Sequence, residues 1–317
     1  MLASALKRVI TTGCLFAMAY SFQAAAVVFD FSDFSDLSDF QLNGDTALLN
    51  PGGTGVTGPN PGDGPVLRLT TGTSTPSVGT SFQAGSAFLT DPISLLNEAS
   101  FSTKFDFQFT EQGGLTQAEG NGADGIVFVV QTVSNTAGTS GAGIGYEGLT
   151  NSLGIEFDNW NNFGSFGDPN ANHVAINTNG VFSPIGPLTG DLSALGLDLD
   201  AGDILTAWID YDGITDGLEV RVAAGGASRP GAAFLSTIID LETTLGSSSA
   251  FVGFTSATGS AFANHDIRNW TFRDDFNPVV DPPPTTGIPE PSTWALIMLA
   301  MFALVLHRRR ALAKAKI

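Results

Sequence analysis

Phe101, Phe105, Phe107 and Phe109 stand at even spacing with Ser102, Lys104 and Asp106 between them. A period of two places successive side chains on opposite faces of a strand, so these phenylalanines share one sheet face. Leu218-Glu219-Val220-Arg221-Val222 alternates in the same way. Further short apolar runs are separated by glycine, asparagine, aspartate and serine turns. The pattern predicts strands over 66–70, 100–109, 125–131, 153–158, 173–177, 204–211, 218–222, 234–241, 251–255 and 266–272. Leu192–Leu199 is the one helical candidate inside this region, and glycine interrupts it. Many short strands between turn signals mean an all-β sandwich or barrel. No period of 20–50 residues is visible, which excludes a solenoid.

Both ends of the chain read differently from this middle. Lys7 and Arg8 precede an apolar stretch from Val9 to Phe22, and Ala24-Ala25-Ala26 follows. A positive flank, a short apolar core and small residues before the cut describe a secretory signal helix, with cleavage expected after Ala26. Thr11-Thr12-Gly13-Cys14 lacks the leucine of a lipoprotein box and precedes most of the apolar core, so lipidation is not expected. Cys14 is the only cysteine. Once the signal is removed, no disulfide can form. At the far end, residues 276–288 form a proline-rich, extended linker. Pro289-Glu290-Pro291 then leads into 15 apolar-patterned residues, Ser292–Leu306, and the cluster His307-Arg308-Arg309-Arg310. A full bilayer span needs about 20 residues, so this hydrophobic helix is short for one. Its arginines would stay on the cytoplasmic side and leave the bulk of the protein outside. The expected organisation is a signal peptide (1–26), a β-sandwich (27–275), a linker (276–288), a sorting or membrane segment (289–311) and a basic tail (312–317).

Residues 27–287 are enough for one large all-β domain or two small ones. Removing Glu290 from the 31 acidic residues, and the seven basic residues of the two ends from the 13, leaves thirty acids against six bases. That net charge of −24 excludes nucleic acid and anionic membrane as partners of the domain, because both select basic surface. It suits a solvated extracellular protein and one that binds cations.

One segment concentrates chemistry: Leu153-Gly154-Ile155-Glu156-Phe157-Asp158-Asn159-Trp160-Asn161-Asn162, then Asp168 to His173. On a strand, Glu156 and Asp158 lie two apart and share a face. A loop follows with Asn162 and Asp168, and His173 begins a strand able to lie beside the first. Two carboxylates, an amide, a third carboxylate and an imidazole can therefore converge. Oxygen ligands suit calcium. The set that includes the imidazole suits a second, transition-type ion such as manganese. Burying so many like charges without a cation is very costly.

These residues resemble the L-type, or legume-type, lectins across most of 27–275. The landmarks run in that family's order: Phe101-Ser102-Thr103-Lys104-Phe105, Gly122-Ala123-Asp124-Gly125-Ile126-Val127-Phe128, Ile155-Glu156-Phe157-Asp158 through His173, Gly253-Phe254-Thr255-Ser256-Ala257-Thr258-Gly259, and Asn269-Trp270-Thr271-Phe272. The resemblance implies a concanavalin A-like jelly-roll β-sandwich and a calcium-dependent sugar site. Calcium would be held by Asp158, the Trp160 carbonyl, Asn162 and Asp168, and the second ion by Glu156, Asp158, Asp168 and His173. Asp124, joined to Ala123 by a cis peptide in that family, would accept hydrogen bonds from sugar hydroxyls. The Asn162 amide would donate one, and Trp160 would stack on the pyranose. Backbone donors would come from 141–143, Gly143 in particular, and from the loop Ser260–Phe262, Ser260 and Ala261 in particular. The sequence departs from plant members in a longer gap from Asn162 to Asp168 and a shorter one from Asp168 to His173, and in Asn159, which stands after Asp158 where threonine is common and reads as a harmless replacement. Residues 288–311 resemble the PEP-CTERM sorting signal. That implies handling by an exosortase in a Gram-negative bacterium that makes exopolysaccharide, at least transient membrane contact through the C-terminal segment, and a place at the cell surface or in the matrix. A polysaccharide or glycoconjugate is the expected partner.

Two other readings are weaker. Glycoside hydrolases of related fold carry a second glutamate two or three residues beyond Glu-x-Asp. Trp160 and Asn161 occupy those positions here, so general acid–base catalysis has no acid and no enzyme is expected. A matrix protein that keeps the fold without sugar affinity is the other alternative, and the retained Asp124 and Asn162 argue against it. His265, Trp208 and Trp270 read as structural, and Asn269-Trp270-Thr271 as a coincidental sequon.

Overall fold

A computed structural model of the chain describes residues 26–72, 81–138, 141–182 and 188–280. The expected signal helix and C-terminal hydrophobic helix lie outside the described residues. Among the described residues no helix is long and apolar enough to cross a membrane.

Among the described residues, sixteen strands follow in chain order: β1 Val28–Phe31, β2 Phe40–Gly44, β3 Val56–Thr57, β4 Pro65–Thr70, β5 Ala84–Leu89, β6 Ile93–Ser94, β7 Phe101–Gly114, β8 Gly125–Gln131, β9 Ser152–Asp158, β10 His173–Thr178, β11 Thr189–Asp191, β12 Ile204–Asp212, β13 Gly217–Ala224, β14 Leu235–Ile238, β15 Ser249–Ala257 and β16 Ala261–Arg273. One sheet runs β14-β13-β12-β7-β16-β4-β3, with β1 also on β16, and the other runs β11-β10-β9-β8-β15-β5-β2, with β6 also on β15. Two short helices, α1 Asp45–Leu49 and α2 Leu241–Leu245, sit in the connections.

The core lies between the sheets. Phe101, Phe105, Phe107 and Phe109 project into it from β7, as their spacing predicts, and meet Ile126, Phe128 and Val130 of β8 and Leu153, Ile155 and Phe157 of β9. Trp270 is fully buried, with its indole N–H donating to Thr103 Oγ1 at 2.8 Å. Aromatic packing of this kind drives the sandwich closed, since each ring removes about 150–250 Å² from water. The inward residues of β8 and β9 leave Val127, Val129, Gly154, Glu156 and Asp158 on the opposite face. Ile144, Tyr146 and Leu149 of the 141–149 loop close over Val127 and Val129 and form a second, smaller apolar cluster.

Every expected strand forms, but the one expected over 234–241 is cut to Leu235–Ile238, because Asp240 caps α2 and Leu241 begins it. β7 continues five residues beyond Phe109, and β16 starts five residues before Asp266. Strands β1, β2, β5 and the short edge strands go beyond the sequence reading. In β5, Ala84-Gly85-Ser86-Ala87 carries little side-chain signal, and its place is set by pairing with β15. Leu192–Leu199 folds as separate 3-10 turns, Leu192–Leu195 and Leu199–Ala201, not as one helix. Asp191 and Asp198 cap them at the start, and left-handed Gly196 and Gly202 end them.

Candidate functional site

The β9–β10 ladder builds the acidic cluster directly. Register places His173 opposite Asp158 and Ala175 opposite Glu156, so the imidazole and both carboxylates emerge on one face. Asp168 enters from the loop between the strands. Glu156, Asp158, Asp168 and His173 each present a ligand atom, and these atoms all lie within 4.8 Å of one another. All four residues are buried.

Each carboxylate has one oxygen held by a neighbouring donor. Asn177 Nδ2 donates to Glu156 at 2.7 Å, the Trp160 N–H to Asp158 at 2.6 Å and the Asn162 N–H to Asp168 at 2.7 Å. His173 Nδ1 lies 2.9 Å from the Asn170 carbonyl oxygen. A carbonyl can only accept, so the proton sits on Nδ1 and Nε2 presents a lone pair, the arrangement expected of a ligating histidine. His173 Nε2, Asn162 Oδ1 and Asp124 Oδ2 are buried without a hydrogen-bond partner. Burial pushes the Glu156 carboxyl up to about 8, with the Asp168 charge adding to it and the Asn177 hydrogen bond opposing it. Burial also raises Asp158, and the charges of Glu156 and Asp168 reinforce the shift. Asp168 is raised by burial as well. Burial lowers His173 to about 4. Three carboxylates resisting ionisation around a neutral imidazole are what a cation relieves, so this donor set fits a metal ion.

Asp124 closes one side of the cluster. The Ala123–Asp124 peptide is cis, as the resemblance implies. The Asp124 N–H donates to the Ala257 carbonyl at 3.0 Å, and its carbonyl accepts from the Asn159 N–H at 3.3 Å. Burial pushes its carboxyl up to about 7, and the Asp168 charge contributes. Gly125 sits at φ 133°, and a Cβ there would strike the Phe157 carbonyl, so the turn that delivers Asp124 to β8 requires glycine.

The remaining expected residues surround this centre unevenly. Trp160 is half-buried and Asn162 lies at the surface of the loop with its side-chain oxygen turned inward. Ser260 is exposed, and its carbonyl accepts from the Leu115 N–H. Ala261 belongs to β16, opposite Gly114, and is buried, so it is not a loop residue. Gly259 is the member of that turn lying against Asp124: a Cβ on it would sit 3.7 Å from Asp124 Oδ2. Gly143 is buried in a tight turn whose carbonyl accepts the Tyr146 and Glu147 N–H groups. Its neighbour Gly145 packs on Thr255, two positions along β15 from the Ala257 that anchors Asp124.

Several contributors carry no sequence signal of their own. Gln117 brackets Asn161, donating from Nε2 to its carbonyl at 2.7 Å and accepting its N–H at 3.0 Å. Glu119 accepts the Ala171 N–H. Asn159 reads as an inconsequential replacement of threonine, yet it is fully buried and donates to Asp200. Only the fold brings residues 40 positions apart to these contacts. His265 is structural, as expected: it is buried edge-on against Phe109, with Nδ1 2.6 Å from Thr70 Oγ1.

Residues 26–286 match the family described as Legume lectin domain, and residues 287–310 match the PEP-CTERM protein-sorting motif. The L-type lectin-domain containing receptor kinase VIII.1 of Arabidopsis thaliana is 29% identical over 282 residues, 84% of this chain and 35% of that protein. The receptor kinase S.7 of Oryza sativa is 30% identical over 302 residues, 86% of this chain and 39% of that protein. The chain thus spans little more than a third of the length of these relatives. Among solved structures, the basic winged bean lectin with Tn-antigen superposes with a TM-score of 0.59 at 26% identity, covering 78% of this chain and 98% of that one. A metal-free form of lectin I-B4 from Griffonia simplicifolia gives 0.58 at 26% identity with the same coverage.

Proposed function

The chain belongs to the legume lectin domain family and carries a PEP-CTERM sorting motif, and from that premise we propose that it is an exported, calcium-dependent carbohydrate-binding protein without catalytic activity. The observation that carries the proposal is the convergence of Glu156, Asp158, Asp168 and His173, beside which Asn162 Oδ1 and Asp124 Oδ2 are buried without partners. Calcium is assigned to Asp158, the Trp160 carbonyl, Asn162 and Asp168. A second divalent ion, manganese or similar, is assigned to Glu156, Asp158, Asp168 and His173. The bound ions supply the positive charge that lets these carboxylates stay ionised at neutral pH.

The chain's own residues do the recognition. Asp124 accepts hydrogen bonds from sugar hydroxyls, and its ionised form depends on the cluster being neutralised, because burial and the Asp168 charge both oppose its ionisation. Asn162 donates from its amide, and Trp160 offers a ring to the apolar face of a pyranose. The turn at Gly259 and Ser260, which lies against Asp124, and the turn around Gly143 are assigned to the choice of sugar. Export follows the N-terminal signal. The C-terminal motif directs the protein to an exosortase-type enzyme and at least transiently to the membrane, leaving it at the cell surface or in the extracellular polysaccharide of a Gram-negative bacterium. The partner is a polysaccharide or glycoconjugate.

A glycan array probed with the mature protein tests this reading. Binding in calcium that disappears with chelator supports it. A folded, calcium-loaded protein that binds no glycan contradicts it and leaves a structural matrix role.

A further inference from the structure

Asp200 stands outside the proposed ligand set, in the short 3-10 turn Leu199–Ala201. Its carboxylate nevertheless collects donors from two segments that meet at Asp124. Oδ2 accepts the N–H of Asn121 at 2.9 Å and of Gly122 at 3.1 Å. Oδ1 accepts from Asn159 Nδ2 at 2.8 Å. Asn121 and Gly122 lie three and two residues before Asp124, and Asn159 directly follows Asp158. A Cβ on Gly122 would collide with both the Asn159 amide and the Asp200 carboxylate, so the three groups meet at contact distance.

Asp200 is itself firmly placed. Its N–H donates to Asp198 Oδ1 at 2.9 Å, and its carbonyl accepts from Gln112 Nε2 at 3.1 Å. Asn172, one residue before His173, ties the same turn down by donating to the Leu197 carbonyl and accepting the Leu199 N–H. The segment it holds contains Gly120, Gly122 and Gly125, and glycine-rich backbone loses much conformational freedom when ordered. A charged acceptor taking two of its N–H groups meets that cost before any ligand arrives.

We propose that Asp200 is a positioning residue: it ties the Asp124-bearing turn to the end of β9 and so pre-organises Asp124 for ligand, independently of the metal. The inference rests on the carbohydrate reading of Asp124. Its hydrogen bonds go to Asn121, Gly122 and Asn159, none of which is assigned to an ion. Glycan affinity therefore depends on Asp200, and calcium affinity does not.

The test compares wild type, Asp200→Asn, Asp200→Ala and Asn159→Ala in the mature protein. Calcium affinity is read by calorimetry, amide exchange at residues 119–125 in the calcium-loaded state, and affinity for N-acetylgalactosamine and mannose. For Asp200→Ala the expected result is calcium affinity within about threefold of wild type. Exchange at Asn121 and Gly122 should be faster by about tenfold or more, and sugar affinity weaker by a similar factor. Asp200→Asn, which keeps one acceptor, should fall between. Adding Asn159→Ala to Asp200→Ala should cost less than the two single effects combined, because both remove the same contact. Unchanged exchange at residues 121–122, or calcium affinity lost in parallel with it, overturns the proposal. If the wild-type protein binds neither sugar and no glycan on an array, the carbohydrate reading is what fails, while calcium affinity and exchange still decide the role of Asp200.

Discussion

His173 faces Asp158 directly across the β9–β10 ladder, and its Nδ1–H is committed to the Asn170 carbonyl, so that Nε2 turns to the acidic cluster. One antiparallel pairing thus aligns an imidazole with two carboxylates set two residues apart. Loop 159–172 has only to return Asp168 to the same point.

Removing one member of that pair or the other should weaken different ions. Asp158→Asn eliminates the charge shared by both assigned sites and should weaken calcium binding by about 100-fold or more. His173→Ala should weaken the transition-type ion by a comparable factor and calcium much less. Calorimetric titration with calcium and with manganese checks both, and equal loss of the two ions in His173→Ala would contradict the assignment.

Chelation should destabilise the folded protein. An ion bound by the native state alone contributes about 2.7 kcal/mol at 100 times its Kd, and without it the buried carboxylates repel. Thermal unfolding should therefore shift several degrees downward in chelator and recover on adding calcium. An unfolding midpoint indifferent to calcium would remove the ion from the account.

Much of this was legible in the sequence, and the reason is local. Glu156 and Asp158 share a face because strand periodicity is two, and Phe101 to Phe109 mark the core for the same reason. Asp124 and His173 became legible only alongside the other landmarks in order. What escaped is non-local. Gln117, Glu119 and Asp200 look like ordinary surface polar residues until loops far apart in sequence meet. Asn159 reads as a neutral replacement because its partner lies 41 residues away. Ala261 reads as a loop residue because nothing in the sequence marks where β16 begins opposite Gly114.

The buried Arg68–Asp266 pair predicts a large effect far from the site. Arg68 donates from Nε and Nη2 to the two Asp266 oxygens, both at 2.7 Å, and Asp266 is fully buried. Asp266→Ala strands the guanidinium in the interior and should cost about 3–5 kcal/mol. Denaturant unfolding measures it, and a cost below about 1 kcal/mol would show that solvent reaches Arg68.

His265 sets an acid limit. Burial lowers its folded-state value from 6.5 to about 3. Between those values the unfolded chain binds a proton that the native state refuses, so stability falls as pH drops through this window. The slope from this group approaches about 1.4 kcal/mol per pH unit. The stability difference between wild type and His265→Gln should therefore vary with that slope between pH 6 and pH 4. A difference constant across the range would mean that His265 is protonated in the fold.

The central claim is that Asp124 binds sugar and the Glu156–His173 cluster binds the ion that supports it. Asp124→Asn separates the two, because it keeps the shape of the side chain and lies outside the ligand set. The decisive measurement is glycan-array binding of this variant beside wild type, both in saturating calcium, with calcium affinity measured on the same samples. The account predicts abolished glycan binding with calcium affinity close to wild type. Undiminished glycan binding by Asp124→Asn would contradict it.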